Sequence, residues 1–192
     1  MINLNKEKCT QKDNVNKSVN SFPVLFSNVD TLTADKFCEL KLKLVDMEIE
    51  PKIIALQEVK PKNFRYERLL AEYNLDGYEF VHKNLVKGSP GRGLIIYVKN
   101  DIRFTQVTVN TEFNEYLSIE INLNQKDKVM FSSVYRSPSM SDVECKKLCK
   151  LFHEINTMKY THCITVGDLN LPKIQWKDLS TTGGPEDFSF VL

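Results

Sequence analysis

Segment 22–57 sets the tightest limit on what this chain can fold into. It opens with a short apolar run, FPVLFS (22–27), and closes with a second, KIIALQ (52–57). Between them, ADKFCELKLKLVDMEI (34–49) places Phe37, Leu40, Leu44 and Met47 at spacings of three and four, the period of a helix with one apolar face. Thr33 or Asp35 stands where such a helix would start, and Glu50-Pro51 where it would end. Strand, helix and strand in so short a stretch form a βαβ unit, whose two strands lie parallel in one sheet. The expected fold class is therefore α/β.

The rest of the chain adds strands faster than helices. Residues 64–73 read as a short helix. Residues 78–82, 94–99, 104–109, 116–123 and 129–135 read as closely spaced strands, which favours antiparallel hairpins. Gly88, Gly91 and Gly93 with Pro90 mark a tight loop before one of them. A second helix is expected over 140–158, with Leu148, Leu151, Phe152 and Ile155 on its core stripe and Ser139 or Ser141 as its cap. Residues 162–166 form the last clear strand, 168–176 a loop, and 185–192 the start of a third helix. Residues 1–20 are polar, rich in Lys and Asn and without periodicity, and read as a disordered lead-in to a domain spanning 21–192.

Composition excludes several classes. Apolar residues at 42% and charged residues at 27% are ordinary for a globular domain. No stretch approaches the roughly 18 apolar residues of a membrane span, so no membrane partner is expected. There is no apolar leader, and three of the five cysteines fall inside apolar-periodic segments, as suits reduced thiols. An intracellular protein, nuclear or cytoplasmic and not secreted, is the expectation. A net charge of +1 supplies no global attraction for nucleic acid, so any affinity for phosphate must be local.

Four apolar strands end in polar groups: Ser27-Asn28-Val29-Asp30, Gln57-Glu58, Tyr135-Arg136-Ser137-Pro138 and Gly167-Asp168-Leu169-Asn170. Asn, Asp and Pro at such places often do no more than make turns. Strand ends of layered α/β folds are also where a rigid sheet can converge side chains on a ligand. Asp30, Glu58 and Asp168 are hard oxygen donors of the kind that hold Mg²⁺ together with waters. Asn28 and Asn170 can donate N–H to an anionic oxygen, Tyr135 a phenolic proton, and Arg136 a bidentate pair to a phosphate. The set suits metal-assisted phosphoester hydrolysis.

In their order, SNVDTL, PKIIALQEVK, GRGLIIYVKN, VYRSP and VGDLNLPKIQW resemble the endonuclease/exonuclease/phosphatase superfamily. The likeness is greatest to the apurinic-endonuclease-like nuclease domains of non-LTR retrotransposons and covers residues 22 to about 190. The resemblance implies a DNase I-like four-layer α/β sandwich, two mixed sheets flanked by helices, and a Mg²⁺-dependent phosphodiesterase, Mn²⁺ being a substitute. DNA is the implied substrate, and a reverse transcriptase in a longer parent protein the implied companion. Carried over, Glu58 and Asp30 are metal ligands, Asn28 arranges the metal and nucleophile region, and Tyr135 is the active-site tyrosine. Asp168 activates water, Asn170 contacts the scissile phosphate, and Trp176 is a packing residue of the loop.

One family motif has no counterpart here. The closing Ser-Asp-His would supply a second aspartate and the catalytic histidine, yet the three histidines, His82, His153 and His162, lie in other contexts. The expectation is a domain incomplete at its C-terminus, its last strands missing and its turnover weak. A phosphatase acting on a small phosphoester and a non-catalytic retroelement remnant are the alternatives. Lys60, Lys62 and Arg65, following Glu58, are candidates for touching a DNA backbone. Cys145, Cys149 and His153 recur at four-residue spacing, but three ligands on one helix face rarely converge on a single zinc ion.

Overall fold

Alternation of side chains along the strands decides the architecture. In the computed structural model, which describes residues 22–64, 68–124, 126–178 and 180–183, two four-stranded sheets lie face to face. In the first sheet β1 (Val24–Asn28) pairs parallel with β2 (Ile53–Gln57). Both β2 and β3 (Tyr78–Lys83) pair antiparallel with β4 (Leu94–Lys99), for an order β1-β2-β4-β3. The second sheet runs β5 (Phe104–Val107), β6 (Tyr116–Asn122), β7 (Lys128–Tyr135) and β8 (His162–Asp168). Its first three strands are antiparallel neighbours, and β8 joins β7 in parallel.

Each parallel pair is bridged by a helix. The first, α1 (Ala34–Val45), starts at Thr33, whose hydroxyl accepts the Lys36 N–H at 3.2 Å. The second, α2 (Asp142–Thr157), starts at Ser141, whose hydroxyl accepts the Glu144 N–H at 3.4 Å. Caps of this kind each contribute about 1 kcal/mol.

Four layers follow from the period of two. In β2, Ile54 and Leu56 turn towards Phe37 and Leu40 of α1, while Ile53 and Ala55 turn inwards to the other sheet. In β4, Ile95 and Tyr97 face α1, and Leu94, Ile96 and Val98 face inwards. The second sheet mirrors this. Val129, Phe131 and Tyr135 of β7 meet the first sheet, whereas Met130 and Val134 meet Leu148, Leu151 and Ile155 of α2. Strands covered on both faces read as unbroken apolar runs, which is why KIIALQ and LIIYVK show no alternation in sequence. The order helix, sheet, sheet, helix is the expected α/β sandwich.

Several local expectations need correction. The first helix stops at Val45, and Met47, expected on its stripe, is 38% exposed beyond the last turn. Of the helix expected over 64–73, the described part is a single 3₁₀ turn, Leu70–Tyr73, too short for an α-helical stripe to act. The strand expected over 104–109 pairs only as far as Val107. The loop after Asp168 contains a small antiparallel hairpin, β9 (Ile174–Gln175) with β10 (Ser180–Thr181). The lead-in (1–20) and the helix expected over 185–192 lie outside the described residues. Among the described residues no helix is long and apolar enough to cross a membrane.

Candidate active site

The same alternation aims the polar strand ends at one place. Val24 of β1 and Val166 of β8 pack on the core between the sheets, so Asn28 and Asp168, an even number of residues further along, share that inner face. Tyr135 ends β7 on the inner face too. β1 and β8 are edge strands of their sheets, and their carboxyl ends open together onto a cavity of about 960 Å³. Its walls include Asn28, Asp30, Lys36, Glu58, Arg92 and Tyr135, with Asp168 and Asn170 opposite.

Asn28 stands at the centre. Its Nδ2 donates to Glu58 Oε1 at 2.7 Å and to Asp168 Oδ2 at 3.0 Å, and its Oδ1 accepts the Asp30 N–H at 3.0 Å. An amide between two carboxylates on one side and a backbone N–H on the other has only one chemically sensible orientation. Asp168 Oδ1 accepts the Asn170 N–H at 3.0 Å, closing a turn in which both side chains border the cavity. Asn170 Nδ2 donates to Arg136 O at 2.7 Å, which engages one of its two amide protons. Burial, and then the hydrogen bond to Glu58, push the Tyr135 phenol far above its ordinary pKa, so it is a neutral donor at any physiological pH.

Backbone strain gathers around the cavity. Asp30 (φ 37°), Glu58 (φ 54°) and Asn170 (φ 47°) all border it in the left-handed region, unusual for residues with a Cβ. Residues 57–59 are held on both sides: Thr31 N–H donates to Glu58 O at 2.7 Å, and Val59 N–H to Gly93 O at 3.2 Å. Gly167 has a different reason to be glycine. It pairs with Val134 so closely that a Cβ would lie 1.8 Å from the Val134 carbonyl oxygen. Only glycine lets β8 carry Asp168 this near β7 and Tyr135.

Some expected residues sit elsewhere. Arg136, expected to pair with a phosphate, is buried on the opposite side of its strand end from Tyr135. Its Nη1 donates to Asn170 O at 2.9 Å and its Nη2 reaches Cys145 Sγ at 3.6 Å, so it clamps the 168–170 loop to α2. Alternation again gives the reason, since the residue after Tyr135 faces the other way. Lys60 is 3% exposed, its ammonium spent on Ser89 O at 2.8 Å and Ser89 Oγ at 2.9 Å, whereas Lys62 borders the cavity. Arg65 lies outside the described residues. Trp176, expected to pack, is 55% exposed beside a second, more apolar cavity lined by Phe152, Val166, Leu169 and Leu171.

The residue that sequence reading missed is Arg92. Its Nη1 pairs with Glu58 Oε2 at 2.5 Å, its Nη2 with Asp30 Oδ1 at 2.8 Å, and its Nε donates to Lys60 O at 2.9 Å. The Arg92 guanidinium accordingly holds the Asp30 carboxyl below its ordinary pKa. The available signal was a Gly-Arg-Gly just before a strand that pairs with the strand Glu58 follows. Glu58 and Asp30, the expected metal pair, therefore do converge on one cationic group. A largely buried carboxylate, Glu58, and an exposed one, Asp30, at the edge of one cavity make a donor set of the kind that takes Mg²⁺ with several waters retained. Among the described residues no three His, Cys, Asp or Glu side chains converge as a metal cluster.

No protein-family model matches the sequence, and no curated protein matches it. Solved structures do. The AP endonuclease LMAP from Leishmania major superposes with a TM-score of 0.56 at 19% identity, over 78% of this chain and 55% of that one. The APE2 catalytic domain of Xenopus laevis gives 0.54 at 15%, over 87% and 63%. The endonuclease domain of TRAS1, a telomere-specific non-LTR retrotransposon, gives 0.50 at 15%, over 78% and 59%. The chain thus spans between 55% and 63% of the length of these solved chains. What it shares with them is the DNase I-like fold.

Proposed function

We propose that this chain carries a divalent-metal-dependent phosphodiesterase site of the endonuclease/exonuclease/phosphatase type, of retroelement kind and acting on DNA. The observation that carries the reading is the Asn28 amide, which ties Glu58 to Asp168 across the two sheets and so links a metal-side carboxylate to a water-side carboxylate. Asp168 accepts the proton of the attacking water, its orientation set by the Asn28 amide and the Asn170 N–H. The remaining amide proton of Asn170 donates to a phosphate oxygen as charge develops on it, and the neutral Tyr135 phenol does so by turning its single proton from Glu58 to the phosphate. Lys36 and Lys62 border the cavity and supply local attraction for a phosphate backbone that the net charge does not. Glu58 and Asp30 would hold Mg²⁺ or Mn²⁺, which when bound neutralises charge on the phosphate.

None of the three histidines borders this cavity: His82 is on β3, His153 on α2 and His162 at the start of β8. Turnover by these residues alone is accordingly slow, because general acid–base groups typically contribute about 10²–10⁴-fold. A reverse transcriptase in a longer parent protein belongs to the same reading. The test is nicking of supercoiled plasmid by the 192-residue chain with and without Mg²⁺. Slow Mg²⁺-dependent nicking is expected, falling at least about 100-fold in Asp168→Ala. Hydrolysis of phosphoinositide or sphingomyelin with DNA untouched would move the assignment to a small-phosphoester phosphatase. Turnover no greater than that of Asp168→Ala on any of them would leave a non-catalytic remnant.

A further inference from the structure

The Gly-Arg-Gly loop is shaped around Arg92 and not merely around a tight turn. Gly91 (φ 76°) and Gly93 (φ 79°) flank it in the left-handed region, and a Cβ on Gly91 would fall 1.6 Å from Glu115 Oε1. The Arg92 N–H donates to that same oxygen at 2.9 Å, and its carbonyl accepts the Lys60 N–H at 2.6 Å. The backbone being fixed on both sides, the guanidinium is delivered between the two carboxylates. Its side chain and that of Glu58 are each 11% exposed, while Asp30 is 81% exposed. Each of the three nitrogens of the planar fork has an acceptor: Lys60 O for Nε, Glu58 for Nη1 and Asp30 for Nη2. Lys36 and Lys62 border the same cavity, yet neither forms an ion pair with Glu58 or Asp30.

We infer that Arg92 is a built-in cation that occupies the Glu58–Asp30 pair, so that a divalent metal binds only by displacing its guanidinium. The inference rests on reading Glu58 and Asp30 as the metal-holding pair. Glu58 Oε2 cannot accept Arg92 and coordinate a small ion in the same place, and two positive charges sharing one partly buried carboxylate repel. Metal affinity is therefore reduced by the fraction of molecules in which the guanidinium has swung away. The same pairing offsets one of the two negative charges and bridges both carboxylates when no metal is bound, so the site does not depend on metal to hold its shape. Arg92 is in this sense a regulator of metal entry and not a metal ligand.

The experiment measures binding of Mn²⁺ alone, by electron paramagnetic resonance of free ion, to the full chain and four variants. Arg92→Gln is expected to bind at least tenfold more tightly than the unaltered chain. Glu58→Gln and Glu58→Gln/Arg92→Gln lose that binding. Lys62→Gln, which removes the same charge from the rim, gains less than threefold. A gain in Arg92→Gln no larger than in Lys62→Gln overturns the inference, while Glu58-dependent binding still upholds the metal pair. Binding indifferent to Glu58 overturns both. Should Arg92→Gln fail to fold, nitrogen-15 spectra of the unaltered chain decide the matter. The Arg92 Nη signals, distinct while Glu58 and Asp30 hold them, are expected to merge on adding Mg²⁺. Their persistence while the Glu58 amide shifts would overturn the displacement.

Discussion

β7 and β8 lie side by side in one parallel pair, yet they are held by different forces. Seven of the eight residues of β7 are buried, and none of the seven of β8 is. β7 has the first sheet on one face and α2 on the other, so nearly every side chain contributes apolar burial. β8 is an edge strand, kept in register by its ladder to β7 and by the close approach that Gly167 permits. The candidate active site hangs from both. Tyr135 comes from the buried strand, and Asp168 from the one fastened mainly by its backbone ladder, with Val166 on the core and the Asn28 amide as its side-chain ties.

Substitutions should separate the two modes. Phe131→Ala empties a fully buried site between the sheets and is expected to cost about 3–5 kcal/mol in urea denaturation. Gly167→Ala forces a Cβ into the Val134 carbonyl and is expected to cost about 3 kcal/mol. It should also slow any nicking more than its stability loss explains, since Asp168 moves with the strand. Ile164→Ala, on the exposed part of β8, should cost less than about 1 kcal/mol. A cost equal to that of Phe131→Ala would break the contrast, showing that something covers this face of β8 in solution.

The smallest effect concerns a charge beneath the Arg92 loop. Burial pushes the Glu115 carboxyl above its ordinary pKa of 4.5, and its Oε2 is buried without a hydrogen-bond partner. The folded state then binds this proton more tightly than the unfolded state, so ionised Glu115 opposes folding above its folded pKa. Relative to Glu115→Gln, the thermal midpoint of the unaltered chain should rise by a few degrees as pH falls through that raised pKa. The difference should level off below 4.5, where both states are protonated. A midpoint difference independent of pH between 4.5 and neutrality would show that Glu115 is solvated after all.

Much of the frame was legible before any coordinates. KIIALQ and LIIYVK mark their strands because residues buried on both faces must all be apolar, whereas FPVLFS marks an edge strand whose Phe26 is left half exposed. Thr33 and Ser141 mark helix starts because an unsatisfied N–H there needs an oxygen. Even the gathering of Asn28, Tyr135 and Asp168 follows in part from their positions at strand ends. The roles of Arg136 and Lys60 did not follow, because a cation after a strand can equally face solvent, a loop carbonyl or a substrate. Which of these it meets depends on one step of alternation and on segments distant in sequence, such as Ser89 or Cys145.

Local chemistry in the chain therefore settled which segments become strands and helices, and that the four polar strand ends are rich in oxygen donors and amides. Those outcomes depend on side-chain period, capping and burial, which act over a few residues. Only the tertiary structure decided that Asn28 bridges Glu58 to Asp168, and that Arg92, 34 positions after Glu58 in the chain, is the cation between Glu58 and Asp30. Those contacts arise where two sheets and a glycine-flanked loop meet, and a distance between side chains on separate strands is set by how the layers pack.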